Sequence, residues 1–241
     1  MFKIAFIQPG YENLGIEFLS ANLKRHGFQT RLFLDPILFS ESGFISNRLL
    51  SNFFSYKKCL NREIINYKPD LLCFSVITDN YIWACDWARE IKNYHNIPIV
   101  FGGIHPTSVP ERVVMLPFID YVCVGEGDEA IVDLAQALSN NQPVDRIKNI
   151  WFKTNDSVIK NEPRPLIDNL DDFPFADKDL FQQAAPIFHS GYTILTSRNC
   201  LYSCSYCCNN VWKRIYKSEK NIFRKRSIRN VIEELKMAKI K

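Results

Sequence analysis

What this 241-residue chain lacks excludes several classes of protein. No uncharged apolar run approaches the roughly 20 residues a membrane-spanning helix needs. The opening residues, from Met1 to Gly10, hold too short an apolar stretch for a secretory signal. Without an export signal, eight Cys read as thiols of a reducing compartment rather than disulfides, and the cytoplasm is the expected location. A second, distant cysteine pair is also missing. Cys59, Cys73, Cys85 and Cys123 stand singly, which argues against a zinc site built from two C-x2-4-C pairs.

What is present is the composition of a globular protein, 46% hydrophobic and 23% charged. The length suits one large domain or two ordinary ones. The net charge of +4 is unevenly spread, with eleven Lys/Arg against three Glu from Lys213 onward. A charge run alone is weak evidence for nucleic acid, and this one reads as a solvated helix face. The sharpest local signal is Cys200-Leu201-Tyr202-Ser203-Cys204-Ser205-Tyr206-Cys207, three thiols spaced C-x3-C-x2-C. Iron–sulfur clusters are held by Cys thiolates, usually four. Three ligands would leave one iron of a [4Fe–4S] cube open. Cys208 reads as a spectator thiol and Trp212 as a shield for the cluster.

Upstream, short apolar runs alternate with helical patterns. Strands are expected at 3–7, 29–34, 71–75, 98–101 and 121–124, and helices at 14–26, 40–67, 81–94, 111–116 and from Asp128. The run Leu71-Leu72-Cys73-Phe74-Ser75 has the continuous apolar character of a strand covered on both faces. Trp83, Trp87, Ile91 and Tyr94 form one stripe that reads as core packing. Five strand–helix units over 1–145 predict an α/β fold with a doubly wound parallel five-stranded sheet. In such sheets ligands bind beyond the carboxyl ends of the strands. The residues expected there are Pro9-Gly10, Ser75 to Thr78, Gly102-Gly103-Ile104-His105 and Gly125-Glu126-Gly127. Residues 149–160 pattern as a small hairpin with Asn155-Asp156 at its tip. Pro163, Pro165, Pro174 and Pro186 then mark 146–190 as a linker. Residues 192–197 read as a strand feeding the cysteine loop, and Ser227 as the N-cap of a last helix.

Cys200, Cys204 and Cys207, with Tyr206, resemble the cluster loop of the radical S-adenosylmethionine (radical SAM) family. The resemblance implies a [4Fe–4S] cluster whose open iron is chelated by SAM, and reductive cleavage of SAM to an adenosyl radical. It places Tyr206 beside the adenine. It also implies an electron donor such as flavodoxin or ferredoxin, and a small-molecule substrate.

Residues 1–145 resemble the cobalamin-binding domain found in front of radical SAM domains. The matches are Pro9-Gly10, Pro69-Asp70, Gly102-Gly103-x-His105-Pro106-Thr107, Gly125-Glu126-Gly127 and a small polar residue, Thr78. Cobalamin contacts are therefore implied at Pro9, Gly10, Ser75, Thr78, Gly102, Gly103, His105, Gly125, Glu126 and Gly127. One departure concerns Asp-x-His-x-x-Gly, whose His ligates cobalt in many such domains. None of His26, His95, His105 and His189 has an Asp two residues earlier. No lower axial ligand is assigned, and His105 takes a structural or tail-contacting role.

The organisation implied is a cobalamin domain (1–145), a linker (146–190) and the start of a radical SAM partial barrel (191–241). One strand, one loop and one helix do not close a barrel. The expectation is therefore the N-terminal part of a cobalamin-dependent radical SAM enzyme, inactive alone, whose parent methylates an unactivated carbon. Two alternatives are a non-catalytic corrinoid-binding module and a tRNA methylthiotransferase, the latter needing further cluster cysteines.

Overall fold

The computed structural model describes residues 1–37, 56–155, 157–189, 191–217 and 222–240. Among them no helix is long and apolar enough to cross a membrane. The first strands and helices follow the expected alternation. They are β1 (Lys3–Pro9), α1 (Leu14–Arg25), β2 (Gln29–Asp35), α2 (Lys57–Tyr67), β3 (Leu71–Ser75), α3 (Tyr81–Tyr94), β4 (Ile99–Gly102), α4 (Ile104–Ser108), α5 (Pro110–Val114), β5 (Tyr121–Cys123) and α6 (Ala130–Ser139). The amino-terminal part of the helix expected at 40–67 lies outside the described residues.

Strands β2, β1, β3, β4 and β5 run side by side and parallel. Alternate side chains along each strand enter two separate cores. Ala5, Ile7, Leu72, Phe74 and Phe101 pack under α2, α3 and α5, where Trp87 and Ile91 are buried. Ile4, Phe6, Leu71, Cys73 and Val100 pack under α1 and α6. Parallel strands covered on both faces need apolar residues at both parities, which explains their unbroken hydrophobic runs. Tyr94 departs from the expected stripe: it stands at the last position of α3 and is exposed.

The sheet has seven strands rather than the expected five. The hairpin β6 (Ile150–Lys153) and β7 (Val158–Lys160) does not lie in the linker. It pairs antiparallel with β5, in the register Tyr121↔Phe152 and Val122↔Trp151. The physical reason is edge protection: a bare β5 would present a row of unpaired backbone groups. Asp156, expected at the tip, lies outside the described residues.

Beyond the sheet the chain turns back over α1. A 3-10 turn (Leu170–Asp172), α7 (Lys178–Gln182) and a second 3-10 turn (Pro186–His189) lead to β8 (Ser197–Arg198), α8 (Asn209–Ile215), β9 (Arg224–Lys225) and α9 (Ile228–Ile240). The strand expected at 192–197 shortens to β8, paired antiparallel with β9. A strand persists only where a neighbour completes its ladder, and among the described residues only β9 lies alongside. Ser227 caps α9 as expected, its Oγ accepting from Asn230 N at 3.1 Å. The basic segment is less solvated than its charge suggests. Arg224 and Arg226 are buried, paired with Glu126 and Glu234.

Candidate functional site

A cavity of about 370 Å³ opens at the carboxyl ends of β1, β3, β4 and β5. Its apolar wall comes from the α1–α6 face of the sheet, through Phe6, Cys73, Val100, Ile16 and Ile131. Burial pushes the Cys123 thiol up to about 12 and raises Cys73 further, so both act as small apolar groups there. The roof comes from the far end of the chain: Leu195, Arg198, Asn199 and Trp212.

Of the residues expected from sequence to meet a corrinoid, Ser75, Gly102, Gly103, Gly125, Glu126 and Gly127 line this cavity. Ser75 Oγ accepts from Nδ2 of Asn13, the residue that caps α1 through its Oδ1. Gly103 takes a left-handed φ of 95°, and a Cβ there would lie 2.8 Å from the Val76 carbonyl oxygen. Only glycine lets the β4 end fold so tightly against the β3 end. A Cβ on Gly127 would meet Cys123 Sγ at 3.3 Å, on the cavity side of the turn.

The other expected contacts lie outside the cavity lining. Gly10 lets the ends of β1 and β2 approach, since its Cβ would meet Pro36 at 3.2 Å, and Pro9 pairs with Asp35 in the same ladder. Thr78 and His105 are partners, Oγ1 to Nδ1 at 3.2 Å, and the imidazole stacks on Tyr81 at 4.1 Å between ring centroids. Burial lowers the His105 pKa, which favours the neutral ring.

Gly125 and Glu126 also serve a purpose the sequence did not reveal. Gly125, at φ 90°, has Tyr216 Oη where a side chain would begin. That hydroxyl accepts from Glu126 N at 2.9 Å. The Glu126 carboxylate binds Arg224 and stands 3.5 Å from Arg198. Arg198 in turn forks onto Asp128 with bonds of 2.7 and 3.0 Å, and its guanidinium lies 4.6 Å from the Phe173 ring centroid. The loop after β5 therefore clamps the segment that carries the cysteines. The signal in sequence was faint: isolated Arg residues 70 to 100 positions from their carboxylates.

The cysteine loop is open to solvent. Cys200 and Cys207 are half-buried, Cys204 and Cys208 exposed, and all are free thiols. Cys207 N donates to Cys204 O at 3.0 Å, closing a turn between the last two candidate ligands. Lys213 Nζ holds the first half of the loop through Leu201 O, Tyr202 O and Ser203 Oγ at 2.7 to 2.8 Å. Tyr206 is 91% exposed. Burial and the adjacent Cys207 raise the Cys208 pKa, which suits its reading as a spectator. Trp212 faces the cavity and stacks on Tyr216, with ring planes 6° apart. Among the described residues no three His, Cys, Asp or Glu side chains converge as metal ligands. The donor set is right for an iron–sulfur cluster, three accessible thiols on one short loop, while its assembly requires the sulfurs to be drawn together.

A strand-end cavity on a doubly wound sheet, roofed by the approach to a C-x3-C-x2-C loop, defines a class before any comparison. Residues 5–135 match the B12 binding domain family model. The chain belongs to that family. It is 32% identical over 179 residues to the "Uncharacterized methyltransferase PH0819" of Pyrococcus horikoshii, covering 71% of this chain and 37% of the relative. Over 115 residues it is 30% identical to the anaerobic magnesium-protoporphyrin IX monomethyl ester cyclase of Synechocystis, covering 46% and 23%. The fold is that of the radical SAM methyltransferase TsrM from Kitasatospora setae, solved with cobalamin and a [4Fe-4S] cluster bound. The match has a TM-score of 0.67 at 17% identity and covers 98% of this chain and 45% of that one. The chain thus spans about a quarter to two fifths of the length of the two curated relatives.

Proposed function

We propose that this chain is the corrinoid- and cluster-binding part of a cobalamin-dependent radical SAM enzyme whose reaction is methylation of an unactivated carbon. It comprises a cobalamin domain, a linker and the start of a radical SAM domain. The observation that carries the reading is the shared cavity. Glycines at the strand ends and residues flanking Cys200 line one space, so the two cofactors would meet in one place. When bound, the cluster and corrinoid supply the cleavage of SAM and the delivery of a methyl group. Cys200, Cys204 and Cys207 would hold the cluster, and the Gly102-Gly103 and Gly125 to Gly127 turns would let the corrinoid approach the backbone. Electrons would come from a donor such as flavodoxin or ferredoxin, in a reducing cytoplasm that spares the thiols. The substrate is a small molecule.

Methylation is preferred over ring closure on identity: 32% over 179 residues to a protein named as a methyltransferase, against 23% over 231 residues to a cyclase that covers 88% of this chain. A methylthiotransferase would need further cluster thiols, whereas Cys73, Cys85 and Cys123 are buried in apolar cores. The test is anaerobic reconstitution with iron, sulfide and hydroxocobalamin. The expected result is about four iron atoms per chain, lost in Cys204→Ala, with the corrin spectrum retained by both proteins. Wild-type chain that holds zinc but no iron, or that elutes free of corrinoid, would overturn the reading.

A further inference from the structure

Asn199 sits between Arg198, the anchor on Asp128, and Cys200, the first candidate cluster ligand. Its backbone is left-handed at φ 66°, a conformation Asn tolerates better than most residues. Its Oδ1 accepts from Arg224 Nη2 at 3.3 Å. A guanidinium only donates, so this bond fixes which end of the amide faces Arg224. The other end, Nδ2, is buried and meets no acceptor among the described residues. Asn199 also lines the strand-end cavity.

A buried amide N–H2 without a partner costs about 1–3 kcal/mol, so such a group in a ligand-sized space points to an acceptor supplied by the ligand. We propose that Asn199 is a cofactor-binding residue, donating from Nδ2 to an oxygen acceptor of the corrinoid seated in the cavity, and so ties corrinoid occupancy to the position of Cys200. Carboxamide oxygens around the rim of a corrinoid have the required chemistry. The SAM carboxylate has it too, and the test separates the two.

The coupling follows from the chain itself. Arg198 is held by Asp128 and flanked by Phe173, which leaves little freedom upstream. Asn199 is held on one side by Arg224, itself bound to Glu126 of the corrinoid-side turn. A second bond from Nδ2 to the ligand would leave the peptide leading into Cys200 with one orientation. Corrinoid and cluster should then favour one another's binding by the same factor in each direction.

This inference rests on the corrinoid reading above, and the experiment distinguishes the two. Asn199→Asp keeps the size, the left-handed tolerance and the acceptor for Arg224, and replaces the donor with an acceptor oxygen at the cost of an added negative charge, which Asn199→Gly controls for. Hydroxocobalamin binding would be measured by equilibrium dialysis on the 241-residue chain, with and without reconstituted cluster, and SAM binding in parallel. The expected result is about a tenfold weaker Kd for hydroxocobalamin in Asn199→Asp. Cluster loading should tighten cobalamin binding in the wild type and not in the variant. Asn199→Gly, which preserves the backbone and deletes both polar atoms, should show the same loss. Equal cobalamin affinity in wild type and Asn199→Asp overturns the proposal, as does a loss confined to SAM. Wild-type chain that binds no cobalamin overturns the underlying reading and this inference with it.

Discussion

At the scale of single residues, the most telling group outside the cavity is Glu17. It lies on α1 with its side chain fully buried, 2.6 Å from Lys178 Nζ, which also holds Glu12 at 2.9 Å. One buried ammonium thus serves two carboxylates. Burial dominates and pushes Glu17 up to about 8, while Lys178 pulls it down less strongly. Between its ordinary value of 4.5 and about 8 the folded chain therefore holds a proton that the unfolded chain releases. Stability from this site is complete below the ordinary carboxylate range and is lost as pH rises through about 8. Glu17→Gln keeps the shape and removes the titration. Urea unfolding at roughly pH 5 and pH 8.5 should show the wild type losing stability relative to the variant. A constant gap between the two proteins would show that Glu17 ionises normally.

At the scale of elements, the turn after β5 is the hinge of the design. Gly125 makes room for Tyr216, Glu126 receives Arg224, and Asp128 receives Arg198, so α8, β8 and β9 are all pinned by four consecutive residues. Arg224 is buried, and removing its carboxylate leaves a charge without compensation. Breaking such a pair costs about 3–5 kcal/mol. Glu126→Gln should loosen the carboxyl-terminal segment from the sheet while leaving the sheet folded. Limited proteolysis reads this directly: chymotrypsin should cut around Tyr192 and Tyr202 faster in the variant, with residues 1–160 surviving. Identical cleavage rates would mean that Asp128 and Tyr216 suffice to hold the segment.

These elements also show where pattern reading succeeds and where it stops. The unbroken apolar runs of β1, β3 and β4 announced a sheet covered on both faces, and the strand-end glycines announced where a cavity would open. The hairpin β6–β7 was visible as a hairpin, but not its attachment to β5, because edge pairing depends on which strand is left bare. Tyr94 followed the helical stripe and is exposed nonetheless, since periodicity says which side a residue faces and not how far the core extends. Arg198, Asn199 and Trp212 were missed as cavity residues because their segment is placed by Arg198, whose contacts with Asp128 and the Phe18 ring span 70 and 180 positions in sequence.

At the scale of the whole molecule, the cavity is built from both ends of the chain, with Phe6 and Ile16 on one wall and Asn199 and Trp212 on the other. A ligand that fills it should stabilise the assembly by mass action. At a hundredfold excess over Kd the gain is about 2.7 kcal/mol. For a chain of this size that corresponds to a rise of roughly 5–10 °C in thermal midpoint. Hydroxocobalamin should produce this shift under anaerobic conditions, and the carboxyl-terminal segment should become more resistant to protease at the same time. Protection limited to residues 1–160 would place the corrinoid away from the roof.

Two things about this protein were settled by the order of its residues alone. Alternating strand and helix patterns with apolar strands lead to a doubly wound sheet, because backbone hydrogen bonding and burial leave few other ways to cover such strands. Three thiols on an eight-residue loop are kept near one another by the chain itself. Tertiary structure alone decided that the loop after β5 clasps the cysteine-bearing segment, and that Asn199 lines the cavity with one end of its amide bound to Arg224 and the other buried without a partner. Those facts depend on which distant charges and surfaces meet, and local pattern carries no record of that.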